Sequence, residues 1–133
     1  LKDIEVSFNT YSSNIYDIEQ EQLDKLLKAG LAIVHFMNSA KSKIPEAQYM
    51  LIIEGQSSKD YYTRNYELSY ERALALIKFW SSNGIEFDSL GNCEVLISGS
   101  GQSSKFRVQP DIRGNKDNQR FVIHIIPKPG IIE

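Results

Sequence analysis

The alternation of apolar and polar residues divides the first third of the chain into a strand, a loop and a long helix. Ile4–Phe8 alternates apolar and polar side chains, which predicts a half-buried strand. The stretch from Asn9 to Asp17 is rich in Asn, Ser and Tyr and is predicted to be a loop. From about Glu19 to Ser42 the apolar residues recur at helical spacing, with Gly30 on the same stripe. We therefore expect a long amphipathic helix that ends before the break at Pro45.

The middle of the chain predicts a strand, a loop and a second helix. Tyr49–Ile53 is a short, continuously apolar run, as expected for a strand covered on both faces. Gly55–Tyr62 is polar and is predicted to be a loop. Asn65–Asn83 again carries apolar residues at helical spacing. Gly84 follows it at the position where a left-handed helix cap is expected.

The last third predicts two strands on either side of a long polar stretch. Glu94–Ile97 is the third strand, and Ser98–Asp117 is a polar segment with three glycines. A connection of that length is usually functional or mobile. Gln119–Ile126 is the last strand, with alternate side chains on opposite faces, and Pro127 ends it.

The order strand, helix, strand, helix, strand, strand predicts an α+β domain. The helix between the second and third strands indicates a right-handed βαβ unit with a parallel strand pair. We therefore expect a mixed sheet whose helices lie mostly on one face.

Composition limits the classes of function that remain. A chain of 133 residues is expected to form a single domain, residues 1–133, with a core that needs no metal or disulfide. The net charge of −2 gives no basic field for nucleic acid or an anionic membrane. The single cysteine, Cys93, excludes an internal disulfide and leaves the compartment open.

The chain contains no apolar run that approaches the roughly 20 residues of a spanning helix. It begins at Leu1 rather than at a methionine, and we infer a fragment of a longer protein. Any signal or membrane anchor is then expected outside this chain.

The second helix carries the most informative motif. From Asn65 to Ile85 the spacing is N-x2-L-S-x2-R-A-x2-L-x2-F-W-x3-G-I. It closely resembles the signature of the OmpA C-terminal-like family, the peptidoglycan-binding domains of bacterial envelope proteins. Gly99–Ser103 resembles that family's G-x-G-x-S turn, and Asn118–Ile123 resembles its N-R-R-V-x-I entry to the last strand. The resemblance covers nearly the whole chain, from about Ile4 to Ile126.

The resemblance implies a fold and a ligand. The implied fold is a two-layer β-α-β-α-β-β sandwich, with a four-stranded mixed sheet packed by two long helices. The implied ligand is the meso-diaminopimelate of the peptidoglycan stem peptide, whose ammonium and carboxylate are held by an aspartate and an arginine. Arg72 matches the arginine, and a guanidinium can hold a carboxylate through two parallel hydrogen bonds. The implied location is the periplasm, with an anchor in the outer or inner membrane outside this chain.

The chain departs from the family where the aspartate is expected. With the glycines aligned, Ser58 occupies that position, and Asp60, two residues later, is a hypothetical substitute. The residues that we predict to contact the ligand are Arg72, Asn65, Ser57, Ser58, Asp60, Leu68, Arg120 and Asn118.

Several of these residues have a structural alternative. Arg72 on position alone is typical of a surface arginine paired with an acid, but the motif favours a ligand contact. Asn65 is a favoured helix N-cap and can also be a ligand contact. Arg120 can form a salt bridge or lie at the rim of the site. The neighbouring tyrosines can stack on a sugar or partner, or only cover the sheet edge.

The pentapeptide Gly-Gln-Ser-Ser-Lys occurs twice, at 55–59 and 101–105, each time after a predicted strand. Ligands favour the carboxyl ends of parallel strands, so the two copies can line one polar groove. The alternative interpretation is a pair of solvated turns, which is the commoner role of such loops.

Three functions follow from these patterns. The first is a non-catalytic, non-covalent tether to peptidoglycan. The second is the periplasmic domain of a stator-type motor or channel complex, a class that acts as homodimers. The third is a degenerate domain that binds a protein or another ligand because the family's aspartate is replaced. An enzyme is not expected, since no catalytic spacing, metal cluster or phosphate loop occurs; no cofactor and no metal are expected.

Overall fold

The computed structural model describes residues 2–5, 13–56, 65–101 and 120–128, and predictions on other residues lie outside this part of the chain. The described elements are four strands, two long helices and two short 3-10 turns. In chain order they are β1 (Lys2–Glu5), a turn at Ile15–Asp17, α1 (Gln20–Lys43), β2 (Tyr49–Gln56), α2 (Asn65–Ser82), a turn at Phe87–Leu90, β3 (Cys93–Gly101) and β4 (Arg120–Pro127).

The sheet is mixed. β2 pairs in parallel with β3 on one side and antiparallel with β4 on the other. β1 lies antiparallel along the far side of β4, which gives the order β1-β4-β2-β3. The α+β class, the two long helices and the mixed sheet of β2, β3 and β4 are confirmed. β1 shares Ile4 and Glu5 with the predicted first strand, whose last three residues lie outside the described part.

One face of the sheet forms the core with the two helices. Leu51 and Ile53 of β2 are fully buried, and Phe121 and Ile123 of β4 are almost so, in the cluster that contains the buried faces of α1 and α2. The prediction that β2 is covered on both faces is wrong in part. The alternate residues Met50, Ile52 and Glu54 are only half-buried, because the helices cover the other face.

The two helices pack closely near the middle of α1. Gly30 lies on the apolar stripe as predicted and is buried. A Cβ atom at Gly30 would lie 2.6 Å from Nε1 of Trp80, so the missing side chain is what admits the indole. That Nε1 donates a hydrogen bond to the carbonyl of Leu26 at 2.8 Å, which satisfies the only polar atom of a fully buried tryptophan side chain.

α2 ends as predicted. Gly84 adopts φ of 82°, the left-handed conformation that favours glycine, and its N–H donates to the carbonyl of Ser81 at 3.1 Å. The amide of Ile85 donates to the carbonyl of Trp80 at 2.9 Å. These bonds satisfy carbonyls that the end of a helix leaves without an internal partner.

The predicted strands are too short at their carboxyl ends. β2 continues through Glu54 and Gly55 to Gln56, and β3 continues from Ser98 to Gly101. Both predicted loops, Gly55–Tyr62 and Ser98–Asp117, therefore begin inside strands. Ladder hydrogen bonds use only the backbone, so the pairing of Gly55 with Gly99 persists after the apolar pattern has ended.

The predicted loop Asn9–Asp17 contains a 3-10 turn in its described part. The side chain of Asn14 accepts a hydrogen bond from the amide of Tyr16 at 3.1 Å. Ile15, the first residue of the turn, and Ile18, the residue after it, are buried in the core cluster. A polar cap and two apolar anchors thus order a segment that composition alone assigns to a loop.

Candidate functional site

The candidate site is built on the first half of α2, where the helix face toward the sheet carries Arg72. Leu68, Ser69 and Ala73 lie on the same buried face, and Arg72 itself is only 4% exposed. A buried guanidinium is costly unless it is paired, and Arg72 and Ser69 both have interaction partners in the structure. The alternative of an ordinary surface arginine does not fit this burial, and the ligand contact that the motif favours stays a prediction.

Helix geometry indicates which end of the sheet Arg72 faces. Side chains in an α-helix lean toward the N-terminus and cover the turn three to four residues earlier. For Arg72 that turn contains Leu68 and Ser69. The carboxyl ends of β2 and β3 lie beneath it, because Gly55 of β2 would touch Ser69 and Gly99 of β3 would touch Tyr70 if either carried a Cβ atom.

Four chain segments meet at this edge of the sheet. β2 and β3 end there, since they are parallel and reach it together. β4 begins there, because Phe121 is the register partner of Gly55 and Arg120 precedes it. α2 begins at Asn65, about one turn before Ser69. The topology therefore gathers strand ends and a helix start, as is common for ligand sites in sheets with parallel strands.

The repeated pentapeptides begin at the same edge. Gly55 and Gln56 end β2, while Gly101, the first residue of the second copy, ends β3. An irregularity in the register makes Gln56 the partner of Gly101, so the first residues of the two copies lie one position out of step. The remaining residues of both copies lie outside the described part, so the polar groove stays a prediction.

The structure describes only some of the predicted contact residues. Arg72 and Leu68 are both buried on the α2 face. Asn65 is the first residue of α2 and Arg120 the first of β4, which places their backbones at the same edge. The remaining four lie outside the described residues: Ser57, Ser58, Asp60 and Asn118.

Sequence reasoning missed the residues that hold α2 against the strand ends. Ser69 is completely buried, and its backbone approaches Gly55. Gly99 was recognised only as part of a turn motif, whereas it lies in β3 beneath Tyr70. The sequence does contain one glycine near the end of each parallel strand. That these two glycines lie side by side under α2 follows only from the register of the strands.

A histidine–glutamate pair lies on the opposite face of the sheet. Nε2 of His124 is 3.3 Å from Oε1 of Glu54, and their side chains are 17% and 12% exposed. His124 is thus partly buried against a carboxylate, whereas His35 is exposed on α1. Within the described residues no group of three or more His, Cys, Asp or Glu side chains is placed to hold a metal ion.

Cys93 is a free cysteine and is half-buried in the structure. Burial raises the pKa of Cys93 from 9.0 to about 11, and the charge of Asp88 adds to the effect. The thiol is thus protonated at neutral pH, as expected for a half-buried cysteine without a catalytic role.

Neither α1 nor α2, the long helices of the described part of the chain, has the length and apolarity that crossing a bilayer requires.

No family model and no curated protein sequence matches the chain. Solved structures do. The OmpA-like domain of FopA1 from Francisella tularensis matches 96% of this chain and 71% of its own, at 15% identity and a TM-score of 0.56. The periplasmic domain of Helicobacter pylori MotB matches 94% of this chain and 80% of its own, at 15% identity and a TM-score of 0.63. The peptidoglycan-associated lipoprotein from Burkholderia pseudomallei matches 96% and 91%, at 13% identity and a TM-score of 0.50.

Such low identities establish the fold and leave the ligand to be argued from the residues. The motif on α2 predicted this likeness, and the structures that match are OmpA-like domains, MotB periplasmic domains and a peptidoglycan-associated lipoprotein. The chain has the OmpA-like fold.

Proposed function

We propose that the chain is a non-catalytic, non-covalent peptidoglycan-binding domain that tethers a bacterial envelope protein to the cell wall. Its place would be the periplasm, with the membrane anchor supplied by segments outside this chain. One of the matching structures is by its name a peptidoglycan-associated lipoprotein, which supports this class of role. The fold proposed with it is the complete β-α-β-α-β-β sandwich, in which β1 makes the sheet four-stranded.

The placement of Arg72 is the observation that carries the proposal. The motif that resembles the family puts an arginine on the helix face toward the sheet, and the structure has it there at 4% exposure. Such a position is unusual for an arginine with only a solvent role, because the guanidinium loses its hydration. In low-dielectric surroundings a hydrogen bond to a ligand carboxylate is stronger than it would be in water.

The proposed ligand is the zwitterionic end of meso-diaminopimelate. Arg72 would hold its carboxylate, and Asp60 is our candidate for the ammonium in place of the family's aspartate. Leu68 and Asn65 would contact the ligand from α2. The rim would be formed by the remaining polar residues that we predicted, Ser57, Ser58, Asn118 and Arg120.

The first test is co-sedimentation of the domain with purified peptidoglycan sacculi, with soluble meso-diaminopimelate as competitor. Arg72→Ala should weaken binding at least about tenfold, since a charged hydrogen bond is worth roughly 1.5–3 kcal/mol. Arg72→Lys should weaken it less, because a lysine keeps the charge but cannot bind a carboxylate bidentately. Lys78→Ala is the matched control, since Lys78 is a basic residue on the exposed side of the same helix.

The outcomes separate the proposed tether from a degenerate domain. Binding that is competed by meso-diaminopimelate and lost only in the Arg72 variants supports the tether. A folded wild-type domain that ignores sacculi contradicts it and favours the degenerate domain, with a different ligand at the same edge. Circular dichroism of each variant establishes that lost binding is not lost folding.

The second candidate function is the periplasmic domain of a stator-type complex. What favours it is the TM-score of 0.63 with the MotB periplasmic domain, against 0.50 with the peptidoglycan-associated lipoprotein. In this role the wall contact would use the same Arg72 edge, and the domain would act as a homodimer. A spanning helix encoded before Leu1 would favour the stator role, and a lipoprotein signal would favour the passive tether.

A further inference from the structure

Two glycines let α2 cross the sheet closer than any other residue pair would allow. Gly55 of β2 and Gly99 of β3 are register partners in the parallel ladder, so they lie side by side. α2 passes directly over both at Ser69 and Tyr70. We call Gly55 and Gly99 the glycine notch.

The contact across the notch is between backbones. A Cβ atom at Gly99 would lie 2.5 Å from the amide nitrogen and 2.7 Å from Cα of Tyr70. A Cβ atom at Gly55 would lie 2.9 Å from the carbonyl carbon of Ser69 and nearer still to its oxygen. Helix backbone cannot rotate aside as the end of a side chain can. Any side chain in the notch therefore has to lift or tilt the first half of α2.

The lifted part of the helix is the part that carries Arg72. Ser69 is completely buried over the notch, and Arg72 follows three residues later on the same face. Because its side chain leans back over Ser69, the height of this turn sets how far the guanidinium stands from the strand ends.

We propose that the glycine notch positions Arg72 for its ligand. Gly55 and Gly99 are positioning residues in this role: they act through the seat of α2 and need not touch the ligand. The inference rests on the proposed function, since it is the ligand of Arg72 whose binding depends on the notch. It adds that a side chain at either position weakens ligand binding even where the domain still folds.

A third glycine supplies the matched control. Gly30 also meets a hypothetical Cβ contact that is too short, 2.6 Å to Nε1 of Trp80 and 3.0 Å to Cδ1 of Ile85. These neighbours are side-chain atoms near the carboxyl end of α2 and just beyond it. Gly30→Ala therefore strains the core as Gly99→Ala does, but it does so away from Ser69 and Arg72.

The experiment compares the binding of Gly99→Ala and Gly30→Ala to sacculi and to soluble meso-diaminopimelate, at a temperature where both are folded by circular dichroism. We expect Gly99→Ala to lose about tenfold in affinity, within the range for coupled neighbours, and Gly30→Ala to stay within about twofold. Equal affinities of Gly99→Ala and wild type would overturn the inference. Equal losses in both variants would also overturn it, because general strain would then explain the effect.

A double-mutant cycle with Arg72→Lys tests whether the notch acts through the arginine. If it does, Gly99→Ala should lower the affinity by less than about threefold in the Arg72→Lys background. The reason is that lysine already lacks the guanidinium that the notch positions. A merely structural glycine would cost the same factor in both backgrounds, which would overturn the positioning role.

Two further outcomes are distinguishable. A wild-type domain that binds no wall overturns the proposed function and the inference with it, whereas a binding wild type with an indifferent Gly99→Ala overturns the inference alone. If Gly99→Ala does not fold, the wild type is titrated with meso-diaminopimelate by nuclear magnetic resonance. The amides of Gly55, Gly99 and Tyr70 should shift with the same dissociation constant as the Arg72 side chain, and a shift of Arg72 alone would overturn the inference.

Discussion

Polar side chains inside this core differ in how fully they are hydrogen-bonded. Trp80 donates to a helix carbonyl at 2.8 Å, which ties α2 to α1. Asn92 donates through Nδ2 to the carbonyl of Met37 at 3.0 Å, while its Oδ1 finds no partner in the part of the chain that the structure describes. Arg72 differs from both because it is charged, so its burial depends on the interaction partner that it has in the structure.

Cys93 gives a prediction at the residue scale. Its pKa is raised to about 11 by burial and by Asp88, so the native thiol should react slowly with iodoacetamide at pH 8–9 and quickly once the chain is unfolded in urea. Rates of alkylation followed by mass spectrometry check this. A native rate equal to the unfolded rate would contradict the protected environment.

The same shift gives a pH dependence of stability. The pKa of Cys93 in the folded chain lies above its ordinary value of 9.0, so the folded state keeps the proton where the unfolded state loses it. The stabilising effect is complete below about pH 9 and is lost as the pH rises toward about 11. Cys93→Ala removes this contribution, so the difference in unfolding free energy between it and wild type should shift across that interval.

At the scale of elements, periodic segments were predictable, and strand ends that are held only by backbone pairing were not. The predicted α1 differs from Gln20–Lys43 by one residue at each end, because its apolar stripe continues through the whole helix. β2 and β3 were predicted too short, since their last residues are polar or glycine and are held by the ladder. The turn at Phe87–Leu90, which ends at Gly91 with φ of 85°, left no periodic signal in four residues.

The site divides in the same way. Arg72 and Leu68 were predicted because the motif lies within one helix, where spacing fixes the face. The approach of Gly55 and Gly99 to α2 was not, since it depends on how the three elements β2, β3 and α2 pack together. A single sequence does not contain the register of β2 against β3 or the height of α2 above them.

The cap of α2 gives a prediction at the element scale. Gly84 has φ of 82° and open space around its Cα, so a substitution there meets conformational strain and no clash. Gly84→Ala should lower the unfolding free energy by about 1 kcal/mol. Gly84→Asn should cost less, because asparagine tolerates the left-handed region. Urea denaturation of the three proteins measures this, and equal losses for Ala and Asn would indicate a cause other than backbone strain.

For the whole molecule, one core predicts one unfolding transition. Trp80 is fully buried, and its ring centroid lies 5.2 Å from that of Phe87 in an edge-to-face contact. Its side chain also donates a hydrogen bond to α1, so its fluorescence reports on the packing of both helices. Urea curves from tryptophan fluorescence and from far-ultraviolet circular dichroism should therefore coincide. Separate midpoints would contradict the prediction of a single domain.

The position of β4 has a consequence for the order in which the chain can fold. β4 lies between β1 and β2, so the first described strand and the centre of the sheet are joined by the last described strand to be synthesised. Until Arg120–Pro127 has emerged, β1 has no neighbour and one edge of β2 presents unpaired backbone groups. Helix α2 and the parallel pair β2–β3 can assemble earlier, but the edge of β2 that faces away from β3 stays unpaired until β4 is added. Folding is therefore completed only after synthesis of β4. A chain truncated before Arg120 keeps an exposed strand edge that can pair with another chain.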